Sequence, residues 1–133
     1  MPIETKLLAS IMARLEPRGE PATAANAVAV WRTLFDRFAP LLGPLSTLAL
    51  FERSLAQHVG RFPWLPQLGP TLFPAQAFDV FSRSLDGQTP EHIAAANRAL
   101  LVTYTDDLAD LIGPSLANRF LLSAFPPDDG QPI

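Results

Sequence analysis

Two Gly-Pro steps, Gly43-Pro44 and Gly113-Pro114, constrain this chain more than any other feature. They stand 70 residues apart. Each closes a long run of apolar residues at helical spacing and opens another. Glycine takes up the positive-φ backbone that ends a helix. Proline, with φ preset and no first-turn amide to lose, starts the next one. The pattern predicts two helical hairpins.

The flanks of the two steps also match. Asp36-Arg37-Phe38-Ala39-Pro40-Leu41-Leu42 parallels Asp106-Asp107-Leu108-Ala109-Asp110-Leu111-Ile112, and Ala24-Ala25-Asn26 parallels Ala95-Ala96-Asn97 with a one-residue shift. Such small steps allow a neighbouring helix to approach closely. The competing explanation is chance, because Ala, Leu, Gly and Pro are common in the chain. The expectation is a core of two pseudo-repeated hairpins, with an N-terminal helix and a Pro-rich connection added.

Apolar periodicity supplies the remaining elements. Ile3, Leu7, Ile11 and Leu15 form one stripe over residues 3–16. Thr23 is a candidate N-cap for a helix whose apolar face is Ala27, Trp31, Leu34 and Phe38. Pro40 is expected to kink or end that helix, since proline lacks the amide donor and crowds the preceding turn. A third helix spans 45–58. Prolines at 63, 66, 70 and 74 make the next stretch a stiff, apolar connection. A short helix over 74–85 carries Phe78 and Phe81 inward. Thr89-Pro90-Glu91 opens a helix that runs to Ile112. The last helix, 115–125, is apolar nearly all round and must be covered on two sides. No segment alternates with period two for long. The expected fold is all-α, a five- to six-helix bundle in one domain over 1–125, with a polar tail over 126–133.

Composition removes several function classes. At 133 residues and 48% apolar, the chain can bury a real core. A net charge of −3 argues against nucleic acid as a partner, which calls for clustered basic charge. The absence of cysteine excludes disulfides, thiol catalysis and cysteine-type zinc sites. The longest uncharged runs, 38–51 and 62–78, contain Pro and Gly and are too short for a membrane span. The first residues carry no basic stretch leading into an apolar one. A cytoplasmic protein is expected. Nine arginines to one lysine is the bias of a GC-rich, bacterial genome.

The chemistry-bearing residues are few. His58 lies near a helix end, where the dipole favours a cation. Its sharper reading is a phosphoacceptor, but Val59-Gly60-Arg61 after it lacks the lysine such modules carry. His92 falls in a first helical turn. Asp106 and Asp110, four apart, share a face beside Asp107. No histidine accompanies them at ligand spacing, so a solvated face paired with Arg53 or Arg119 is the simpler reading. Phosphate-loop, dinucleotide and nucleophile-elbow motifs are absent. No catalytic residue, metal or cofactor is expected.

What remains is apolar surplus: nine Phe, two Trp and 21 Leu. Arg53, Arg83 and Arg119 sit among aromatics, where they can stack or pair. Surplus of this kind points to a partner or a pocket. The sequence therefore reads first as a non-catalytic interaction or regulatory module that self-associates, as a homodimer or with a protein partner. Leu7 and Ile11 of the first helix and Leu121, Leu122 and Phe125 of the last are the expected interface. A second reading is a small apolar-ligand sensor whose cavity is lined by Trp31, Trp64 and Tyr104, with Arg53 and Arg119 nearby. A third is a catalytic or phosphotransfer role through His58 or the cluster of Asp106, Asp107 and Asp110.

Overall fold

The computed structural model of the protein describes residues 5–68 and 74–126. Six α-helices follow in order: α1 (Thr5–Ala13), α2 (Ala24–Leu42), α3 (Pro44–His58), α4 (Pro74–Leu85), α5 (Pro90–Ile112) and α6 (Pro114–Ala124). A short 3-10 turn (Pro17–Gly19) lies between α1 and α2. No strand occurs among the described residues. The chain is an all-α bundle.

Local chemistry sets the helix ends. The Thr23 side chain accepts from the Asn26 amide and that of Thr89 from the His92 amide, so both long helices start on a threonine cap. At the two hand-overs Gly43 has φ 90°, ψ 147° and Gly113 φ 90°, ψ 145°. Each glycine amide closes the preceding helix on the carbonyl four residues back, at Ala39 and Ala109 respectively. Each glycine carbonyl then accepts the first main-chain hydrogen bond of the next helix, from the amides of Thr47 and Ala117. The helix does not end at Pro40. Pro40 sits exposed in the last turn of α2, and the helix continues to Leu42. Proline removes one amide only, and the loss falls in the last turn of the helix.

α3 and α5 run antiparallel. His58 meets Thr103 near one end of their seam, Arg53 meets Asp107 in the middle, and Leu50 lies by Leu111 towards the other end. α2 and α6 are also antiparallel, with Phe38 on Phe120 and Val30 beside Phe125. This order places both Gly-Pro turns at the same end of the bundle. α4 lies across α2 and α3, where Phe78 packs on Phe35 and Phe51 and Phe81 packs on Phe51. α1 lies on α6, with Arg14 over the Phe125 ring and Glu16 paired to Arg98 of α5.

Buried side chains from all six helices join in one core. The connection after α3 contributes Phe62 and Leu65, while Trp64 and Leu68 are half-buried. Residues 69–73 of the Pro-rich stretch, and all of the 126–133 tail except Pro126, lie outside the described residues.

Candidate functional site

The seam between α3 and α5 gathers more polar chemistry than any other surface described. On α5, Thr103, Asp107 and Asp110 recur at helical spacing along one side. On α3, Leu50, Arg53 and His58 face them. Leu50, Arg53, Asp107, Asp110 and Leu111 line an open groove of about 320 Å3. It therefore offers both charge signs and apolar surface.

The groups in the seam are coupled weakly. Arg53 Nε stands 3.8 Å from Asp107 Oδ2, with the arginine side chain 68% exposed. A pair so exposed contributes at most about 1 kcal/mol. At that distance it is an ion pair without a hydrogen bond, and Asp107 Oδ2 is buried with no hydrogen-bond partner. Asp106 Oδ1 is buried and unpartnered as well. Burial raises the Asp106 carboxyl above its ordinary range, and the neighbouring charges of Asp110 and Asp107 push the same way.

His58 Nε2 is 2.7 Å from the Thr103 hydroxyl. Burial lowers the His58 pKa, and the Arg61 charge lowers it further. The ring is thus neutral at pH 7 and one nitrogen is already engaged. A histidine beside a hydroxyl is the first half of a base–nucleophile pair. The second half is missing, because no carboxylate orients the other ring nitrogen among the described residues. Nor does any group of three or more His, Asp or Glu among them stand close enough to hold a metal ion.

The residues expected to line a ligand cavity do not converge. Trp31 and Tyr104 do meet, edge to face at 5.2 Å between ring centroids, and Phe51 packs on Trp31 at 4.8 Å. They form packed core, with Trp31 1% and Tyr104 2% exposed. Burial pushes the Tyr104 hydroxyl pKa well up. Trp64 lies apart on the loop, against Phe62. Arg119 is exposed on α6, and only Arg53 reaches the groove. Arg83 pairs with Asp79. The arginines that stack on rings are Arg14, Arg32, Arg37 and Arg61.

The faces expected to meet a second chain are covered within this one. Leu7, Ile11, Leu121 and Phe125 are all less than 5% exposed. α1 and α6 pack on each other, so each hides the stripe that the sequence left without a partner. Leu122 alone of that set stays open, at 50%.

The other large exposed apolar side chains are Leu41 at 44%, Leu45 at 72% and Leu111 at 58%. All three lie within two residues of a Gly-Pro turn, at the end of the bundle that the turns share. From the sequence Leu111 belongs on the apolar face of its helix with Leu108, and none of the three stands out as surface. The available signal was the apolar doublet before each glycine, Leu41-Leu42 and Leu111-Ile112. Adjacent residues on a helix lie about 100° apart, so one of each pair is turned away from the core.

Among the described residues, no helix is long and apolar enough to cross a membrane. Comparison with known proteins gives no match to a family model, a curated protein or a solved structure.

Proposed function

We propose that the chain is a non-catalytic helical interaction module that self-associates through the end of the bundle bearing the two Gly-Pro turns. The observation that carries this reading is the placement of Leu41, Leu45 and Leu111 at that end. Exposed Pro44 and Pro114 extend the same apolar surface. The seam beside it carries Arg53 and Asp110 on opposite walls. A two-fold interface must be complementary to itself. A patch with apolar centre and both charge signs at its rim meets that demand, since Arg53 of one copy can approach Asp110 of another.

Sedimentation of the full chain tests the reading. The expected result is a dimer at tens of micromolar that becomes monomer in the Leu45→Glu, Leu111→Glu double variant, with helical content unchanged. Wild-type monomer at that concentration overturns it. So does a dimer that the double variant leaves intact.

A further inference from the structure

A regularity runs through the described chain well beyond the hairpin turns. Leu7, Leu8, Ile11 and Leu15, the buried face of α1 and its exit, stand 70 residues before Ala77, Phe78, Phe81 and Leu85, the buried face of α4. The same interval carries Ala27, Val30, Trp31, Leu34 and Phe38 of α2 onto Asn97, Leu100, Leu101, Tyr104 and Leu108 of α5, every one of them buried. It carries Thr47, Phe51 and Leu55 onto Ala117, Leu121 and Phe125, buried again. Side-chain identity is retained at only one of these pairs, Leu15 and Leu85. Burial is retained at all of them, so shared composition is not the cause. Helical period does not impose the match either. Seventy residues are not a whole number of turns of 3.6, and the register holds across three helices and the connections between them.

The packing shows the correspondence in which hairpin each first helix sits on, although α4 leans mainly on α2 and α1 on α6, where an exact two-fold would put α1 on α5. α4 does not lie on the hairpin that follows it. It lies mainly on α2, with Phe78 on Phe35, and reaches α3 through Phe78 and Phe81 on Phe51. α1 likewise lies away from α2 and α3, on α6, and its exit pairs with α5 through Glu16 and Arg98. A half-turn that carries α2 onto α5 and α3 onto α6 also carries the antiparallel α3–α5 seam onto the antiparallel α6–α2 seam. It carries α4 on its hairpin onto α1 on the other hairpin.

We infer that the chain is two copies of one three-helix unit, residues 5–58 and 74–126, closed on each other about a pseudo-two-fold axis with their first helices exchanged. Each unit's second and third helices form a groove. The partner that groove fits is the apolar first helix of another unit of its own kind. Leu41 and Leu111 are then one position in two units, which gives the turn end a two-fold pattern of its own. The inference does not depend on the proposed self-association, because both grooves are filled within one chain.

Two-fold geometry makes a strict demand that distances can test. The separation of Ala49 (α3) from Asp79 (α4) must equal that of Ala9 (α1) from Arg119 (α6). The separation of Ala49 from Ala99 (α5) must equal that of Ala29 (α2) from Arg119. Ala9, Ala29, Ala49, Asp79 and Arg119 are exposed and Ala99 is half-buried. The chain has no cysteine, so paired cysteine substitutions place spin labels nowhere else. Labelled full-length chain is diluted into unlabelled chain, which removes any distance between copies. The expected result is two equal distances within each set, inside the width of the label distributions. Unequal distances in either set overturn the inference. The α1–α6 and α3–α4 set tests the exchange of first helices, and the other set tests the hairpins. A label pair that lowers helical content is replaced by the pair one turn along, so each set gives a result.

Discussion

Trp31 Nε1 donates a 2.8 Å hydrogen bond to Asn97 Oδ1 at the centre of the bundle, where Trp31 is 1% and Asn97 0% exposed. Asn97 Nδ2 in turn donates to the Ile93 carbonyl at 2.7 Å. A polar amide this deep is tolerated because its bonds are made, and removing one partner leaves the other buried and unpaired. Asn97→Leu should destabilise the fold by about 1–3 kcal/mol. Adding Trp31→Phe to that variant should cost less than Trp31→Phe costs alone, since the orphaned donor is gone. Chemical denaturation of the wild type, both single variants and the double variant checks the coupling.

The two hand-over glycines should each resist a side chain for backbone reasons only. At φ 90° the conformation is close to glycine-only, yet a Cβ at Gly43 or Gly113 would meet nothing within 4 Å. Gly43→Ala and Gly113→Ala should each cost about 1–3 kcal/mol. Matching losses in thermal unfolding are the expected result. A neutral substitution at either site would show that the turn relaxes to another geometry.

Asp106 should oppose folding at neutral pH. Its folded pKa is raised above the ordinary 3.8, burial being the main cause. Between the ordinary and the folded value the folded state holds a proton that the unfolded state has already released, and above both values the ionised group is disfavoured by its burial. The contribution is present below the ordinary value and is lost as pH rises through the folded value. Asp106→Asn should raise the Tm at pH 7, and the gain should shrink as pH falls towards the ordinary carboxylate value. Thermal melts of both proteins across that range test the sign.

His58 acts in the opposite direction. Its pKa is lowered from 6.5 by burial and by Arg61. Below 6.5 the unfolded state takes up a proton that the folded state resists, so this site costs stability as pH falls towards the folded value. His58→Gln keeps a partner for Thr103 and cannot titrate. It should flatten the loss of Tm between neutral and mildly acid pH while leaving the Tm above 6.5 little changed.

Much of the architecture is legible from residues alone because its signals are local. Thr23 and Thr89 cap, Pro44, Pro90 and Pro114 start helices, and Gly43 and Gly113 end them within one residue of expectation. The Asn26–Asn97 sequence match is misleading in one respect. Asn26 is half-buried on α2, while the residue 70 positions before buried Asn97 is Ala27, which is buried. The placement of α1 was not legible. Its stripe shows that a partner exists, but nothing in Leu7 or Ile11 says whether that partner is α6 or a second chain. Periodicity reports which face of a helix is buried and is silent on what buries it. The site was legible only as ingredients. Arg53, His58 and the aspartates were visible, while their convergence on one seam depends on the antiparallel pairing of α3 with α5.

The seating of α1 on α6, with four helices between them in the chain, delays one contact during synthesis. α1 leaves the ribosome before the other five described helices, and α6, which covers it, leaves after them. Until α6 has emerged, Leu7 and Ile11 have no place to go, and the α2–α3 hairpin waits in the same way for α4. Contacts between distant segments are slow to form and leave apolar surface open meanwhile. The growing chain is therefore most prone to aggregate while α4 and α5 have emerged, α6 has not, and α1 is still unseated.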